Sequence, residues 1–464
     1  MNRTRLSLSV AVTLGVGLSA ALMFSLGPPA LQASELGASQ TVAPRAYLVK
    51  DIAPSSFGSA PTWFANLNGA LFFSAFGVNG QELWKSDGTL SGTVLFKDIN
   101  PIDSSSPIFL QVVNETLFFG ASDGSHGHEL WKSDGTPTGT IMVRDIYTGA
   151  GSSMVGYTLD VSSTLFFRAD DGVHGVELWK SDGTPGGTVM VKDIAPGPNP
   201  SNPVYPTSVS GTLFFIADDG STGMELWKSD GTLTGTSIVS DIRPGPDPSY
   251  PNWLIGMNGR LFFTAIGESG TGAVWKTDGT PTNTQKLIDS SNAAWLIPMD
   301  DTLYFIETNA GLWKTDGTPT GTVEITNVGA FAMTAVGDTL FLNAHGGTFD
   351  YELWKSDGTF SGTVMVKDIY TEGSSSPDRL TGLNGQLFFT AFDLSTGVEL
   401  WVSDGTATGT VQVADIRPGM FSSSPTHLFP VGDRLFFAAD DGSHGEELWA
   451  VSRNYPVYLP LILR

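Results

Sequence analysis

The chain contains no cysteine. That excludes disulfides, thiolate nucleophiles, Cys-ligated zinc and iron–sulfur clusters together. Positive charge is also scarce: 24 Lys and Arg face 47 Asp and Glu, a net charge of −23 over 464 residues. Nothing here can replace the counterions condensed on nucleic-acid phosphates, so nucleic acid is not an expected partner. The same sign argues against an anionic membrane surface. No segment after residue 45 combines a 3.6-residue apolar period with helix caps, so helices are not expected there. Nor is a membrane span expected after the leader. The chain also lacks a Gly-x-Ser-x-Gly elbow, a His-Glu-x-x-His pair, a phosphate-cradling loop and EF-hand spacing.

Turn formers and aromatics are plentiful, with 55 Gly, 27 Pro, 28 Phe, 12 Trp and 10 Tyr. This is the composition of a folded chain with many turns. The first five residues carry two arginines, and Leu6 to Leu26 is apolar and uncharged before Gly-Pro-Pro. Residues 1–33 therefore read as a secretory signal, with cleavage expected between Ala33 and Ser34 and an uncleaved anchor as the alternative. Residues 34–45 read as a linker. Secretion or display at the cell surface follows.

One unit recurs along residues 46–452. Its tryptophans are Trp84, Trp131, Trp179, Trp227, Trp275, Trp313, Trp354, Trp401 and Trp449, spaced 38 to 48 residues apart. Around the second copy the chain reads His128-Glu-Leu-Trp-Lys-Ser-Asp-Gly-Thr136, then Gly139-Thr-Ile-Met-Val-Arg-Asp-Ile146. A Leu-Phe-Phe-like run precedes each Trp. Each unit reads as four short strands, A to D, separated by turns such as Asn68-Gly69 and Asp134-Gly135 that accept positive φ. Leu-Trp and Leu-Phe-Phe put bulk on both faces of each sheet. Small sheets covered on both faces, at this period, describe an all-β fold, a β-propeller of four-stranded blades.

The last unit stops after Glu447-Leu-Trp449, and the missing fourth strand stands at the other end, Ala46 to Ile52. The N-terminal strand is expected to complete the ninth blade and close the ring. Units five and six are short, so eight blades with one aberrant unit is the alternative.

The repeated Glu-Leu-Trp-Lys-Ser-Asp-Gly-Thr resembles the bacterial extracellular family of ELWxxDGT repeat proteins, over roughly residues 46–452. Ala273-Val-Trp275 and Gly311-Leu-Trp313 depart from the pattern. The resemblance implies export, a propeller-like repeat fold and no established catalytic motif. The apolar tail, residues 453–464, is expected either to pack on the ring or to act as a processing or attachment signal.

The B–C turns and D–A linkers should share one face. That face collects carboxylates from each complete blade, for example Asp123, Glu129 and Asp145. Such hard oxygens suit Ca²⁺ as a bound cofactor. The alternative is local work: turn chemistry, amide capping, and pairing with the Lys or Arg before Asp-Ile. The Asp of Asp-Gly-Thr is expected to bond its own turn. The tryptophans are expected as packing between blades, with a sugar platform as the alternative. No unique polar cluster stands out. A binding or adhesion scaffold for an extracellular protein or glycan is the leading expectation. A propeller-framed carbohydrate-active hydrolase or lyase and a quinone-dependent dehydrogenase follow it. Any ligand is expected on the face of the variable D–A linkers, such as 195–203 and 370–377.

Overall fold

Asn68 and Gly69 both take positive φ, 53° and 81°. The chain therefore reverses in two residues, and Thr62–Leu67 pairs antiparallel with Ala70–Gly77. Gly80–Ser86 and Val94–Lys97 complete the first sheet in the order A-B-C-D. The computed structural model describes residues 44–452, apart from 55–56, 309–310 and 348–349. The expected signal and tail, and the expected linker up to residue 43, lie outside the described residues.

Nine such four-stranded sheets follow one another. Each A strand contacts the next blade's A strand, and the last contacts the first, so the sheets form a closed ring. The ninth sheet is completed by Arg45–Lys50, antiparallel to Glu446–Ser452, with Leu48 opposite Trp449. This strand begins one residue earlier than expected and ends two residues before Ile52. The eight-bladed alternative fails. Unit five has Asn252–Met257, Arg260–Ile266, Gly272–Thr277 and Gln285–Asp289. Unit six has Ala293–Met299, Thr302–Glu307, Gly311–Thr315 and Val323–Thr326. The residues missing between Trp275 and Trp313 come largely from the linker, which shrinks to 290–292, and no strand is lost.

Each C-strand tryptophan leans on the preceding blade. Trp84 packs with Val49, Ile52 and Leu448 of the ninth blade, and Trp227 with Val161, Phe166 and Ile194 of the third. Trp84, Trp131, Trp179, Trp227, Trp401 and Trp449 are buried; Trp275, Trp313 and Trp354 are half-buried. Each ring removes on the order of 150–250 Å² from water, so the seams between blades form one continuous core around the ring.

The C–D turns explain the rest of the repeat. Asp134 Oδ1 accepts from Thr136 N and Oγ1, at 2.8 and 2.7 Å. Thr136 Oγ1 in turn accepts from Gly139 N, and Thr140 Oγ1 donates to Thr136 O. A Cβ on Gly139 would lie 2.1 Å from Asp134 Oδ1, so any larger residue there would displace Asp134 from its turn. Lys132 Nζ reaches across to Gly183 O in the next blade's turn, 2.8 Å away, and Lys180 repeats the latch on Gly231.

Candidate functional site

The sequence draws attention to carboxylates on one rim, and the structure gives each a separate task. Glu129 is fully buried. Its Oε2 accepts from Ile146 N at 2.8 Å, and its Oε1 from Tyr147 N at 3.3 Å and Ser153 N at 3.2 Å. It thus ties both ends of the D–A linker to strand C. Glu82, Glu177, Glu225, Glu352, Glu399 and Glu447 repeat the clasp, each on an Ile amide and a linker serine. Burial pushes the carboxyls of Glu129 and Glu225 up to about 7, although amides favour their ionised form.

Asp123 serves its own turn. Its Oδ1 accepts from Ser125 N and His126 N, and its Oδ2 meets His126 Nδ1 at 2.8 Å. Hydrogen bonding to Asp123 raises the His126 imidazole above its ordinary range, and Asp171–His174 and Asp441–His444 repeat the pair. Asp145 Oδ2 accepts from Gly149 N at 3.1 Å, while its Oδ1 is buried without a hydrogen-bond partner. Among the described residues, no three His, Asp or Glu side chains are grouped so as to hold a metal ion. The expected pairing of strand-end carboxylates with the preceding Lys or Arg is replaced by a different contact. Lys50, Arg144, Lys192 and Lys367 donate instead to Thr carbonyls of the neighbouring blade's turn.

A different set of side chains meets at the axis. Every A strand carries an irregularity just after its start. In the first blade Thr62 pairs with Ser74 and Ala65 with Phe72, so Trp63 and Phe64 face one partner residue. The first bulged residue sits in the left-handed region in eight blades: Trp63, Phe109, Tyr157, Tyr205, Trp253, Trp295, Arg379 and His427, with φ of 50–56°. In the seventh blade the unpaired residue is Phe331. Bulky residues at positive φ are uncommon, and glycine would adopt the same backbone without strain. Yet no blade uses glycine. Retained strain of this kind is a pointer to function.

These side chains form a belt. Neighbouring rings approach closely: Trp63–Phe109 at 4.5 Å, Phe109–Tyr157 at 6.0 Å, Tyr157–Tyr205 at 5.7 Å and Trp253–Trp295 at 5.2 Å. Tyr205 is 52 % and Phe331 44 % exposed, far more open than the seam tryptophans. A cavity of about 380 Å³ is lined by Trp63, Phe64, His427 and Phe429. A second, about 270 Å³, runs against Trp295, Met333, Asp378 and Arg379 and shares His427 with the first. The second touches A strands of four successive blades, which places it at the ring axis. Desolvation, with the Arg379 charge, lowers the His427 imidazole below its ordinary range, against the pull of Glu446. Because the belt lies at the start of the A strands, it opens on the linker face. That face also exposes Phe57, Val78, Ile102, Met420 and Phe421.

The belt has a sequence trace that the tryptophan register hides. It lies four residues after the serine that each Glu holds: Ser59 to Trp63, Ser105 to Phe109, Ser153 to Tyr157, Ser249 to Trp253, Ser375 to Arg379. The residue type varies, so the column is invisible until the strands are superposed.

No family model matches the sequence, and no curated protein does either. Among solved structures, the chain is similar to the computationally designed Ika8 protein at TM-score 0.44 and 15% identity, over 87% of this chain and 99% of that one. It is also similar to a puromycin hydrolase at TM-score 0.36 and 12% identity, over 72% of this chain and 58% of that one. BamB from Moraxella catarrhalis aligns at TM-score 0.36 and 12% identity, over 78% and 96% of the two chains.

Proposed function

We propose that this chain is a binding scaffold that works outside the cytoplasm, secreted or held at the cell surface as an ELWxxDGT repeat protein, and that its ligand sits at the axial belt. The observation that carries the reading is the bulged position of the A strands. Seven aromatic side chains, Arg379 and His427 occupy it, and all but Phe331 do so at positive φ in spite of the strain. Most other recurrent polar groups are used inside the fold: Glu on linkers, turn Asp on turns, Lys on the next blade, while the strand-end Asp145 and its equivalents keep one oxygen without a hydrogen-bond partner. Six of the nine belt residues are exposed, and Phe109, Tyr157 and Trp295 are half-buried.

The test is a glycan and protein array probed with the chain from residue 34 onward, beside a Trp63→Ala/Trp253→Ala/Trp295→Ala variant. Unchanged circular dichroism and melting would show that the variant folds. The parent should retain ligands that the variant loses. Ligands captured equally by both would place binding elsewhere and end this reading. Mass spectrometry of the exported chain should find Ser34 at the N-terminus if the leader is cleaved.

A further inference from the structure

We propose that the axial ligand is an acidic oligosaccharide, with carboxylates at Arg379 and Arg168 and sugar rings on the aromatic side chains between them. This rests on the axial reading above and names its ligand class. Two independent observations support it.

The first is the belt itself. Between the third and eighth blades it presents Tyr205, Trp253, Trp295 and Phe331 along one arc, and His427, Trp63 and Phe109 along the other. Aromatic faces spaced around a wall suit the C–H faces of successive pyranose rings better than one flat molecule. Polar side chains stand just before the bulge in several blades. Thr62, Asn252, Asp378 and Thr426 can exchange hydrogen bonds with hydroxyl groups, and Thr426 Oγ1 already donates to Glu446 at 3.2 Å.

The second is charge. The chain has about two carboxylates for every cationic side chain, yet neither guanidinium has an ion-pair partner among the described residues. Arg379 is exposed in the cavity wall. Arg168 enters from strand B, opposite Gly156 at the belt, and lies over the Tyr157 ring at 4.6 Å. Its Nε is buried without a hydrogen-bond partner. A guanidinium is a planar fork matched to carboxylate oxygens. Two forks five blades apart call for a ligand with repeated anionic groups, and the aromatics between them call for rings.

The test uses oligomers of galacturonic acid, the carboxyl-reduced neutral oligomers of the same length, and poly-glutamate of matched charge. Tryptophan fluorescence and calorimetry report binding. The uronate should bind about tenfold or more tightly than the neutral sugar and than poly-glutamate. Arg379→Gln and Arg168→Gln should each remove most of the advantage of uronate over neutral sugar. Arg379 is exposed, so its variant stays informative even if loss of Arg168 disturbs the blade. Equal binding of acidic and neutral sugar, stronger binding of poly-glutamate, or no uronate binding overturns the proposal. An array hit that depends on the belt tryptophans but is neutral or proteinaceous would leave the axial site standing and remove only this ligand class.

Discussion

The buried carboxylate of Glu447, near the C-terminal end of the ring, accepts the backbone amide of Ile52 at 3.1 Å, across 395 residues of sequence. Ala53 N and Ser59 Oγ bond the same carboxylate. In every other clasp of this kind the glutamate holds the linker that follows it in sequence. Here the linker comes from the opposite end of the chain, so the clasp and the Arg45–Lys50 strand together shut the ring.

Removing residues 45–53 should therefore lower the melting temperature sharply, because it strips Val49 and Ile52 from the core and uncovers the edge at Leu448. Glu447→Ala alone should cost about 1–3 kcal/mol by orphaning the buried Ile52 amide and Ser59 hydroxyl and the half-buried Ala53 amide. Thermal denaturation of both variants checks this. A deletion that melts like the parent would refute closure by this strand.

Trp227→Ala should cost roughly 3–5 kcal/mol, the range for a large core aromatic. Trp227 is only 4 % exposed. Lys192 Nζ lies 5.5 Å from its ring and loses that partner too. Urea denaturation measures the loss. A change below about 1 kcal/mol would mean that the ring is not buried between blades.

At the belt the expectation reverses. Tyr205 holds φ of 52° and is 52 % exposed. Tyr205→Gly should be more stable than Tyr205→Ala by about 1 kcal/mol, since only glycine takes the left-handed region freely. Denaturation of the two variants side by side decides it. Alanine equal to glycine would show that the backbone relaxes and that no strain is held there.

Stability should fall as pH rises from 5 to 8. Glu129 and Glu225 carry folded-state values of about 7, raised by burial above 4.5. A raised value contributes stability fully below the unfolded value, and that contribution is lost as pH climbs through the folded one. His126, His174 and His444 are raised by their aspartates and act in the same direction above 6.5. His128 and His427, lowered chiefly by burial, oppose this trend below 6.5. The buried glutamates of seven blades are all raised and outweigh them. The lowered aspartates, such as Asp134, act only below about 4. Melting curves across the range test the sign, and Glu129→Gln should flatten the slope. A parent that melts higher at pH 8 than at pH 5 would reverse the sign.

Much of the architecture is legible in the residues alone. Asn-Gly and Asp-Gly between apolar runs impose hairpins, because few other residues accept those dihedrals. The Leu-Trp and Leu-Phe-Phe runs demand cover on both faces. A fourth strand missing at one end and spare at the other requires closure. These are local or counting constraints, and a sequence carries them openly. The number of blades needed the tertiary structure, because shortened linkers and lost strands look alike in spacing. So did the role of Glu129, whose oxygens meet amides 17 to 24 residues away. The belt was the least visible feature. Trp63, Phe109, Arg379 and His427 share no residue type, and only a bulge repeated in space brings them to one axis. Repetition of a residue marks what holds the blades together; variation at one repeated backbone position marks the belt proposed to take a ligand, and position is a property of the fold.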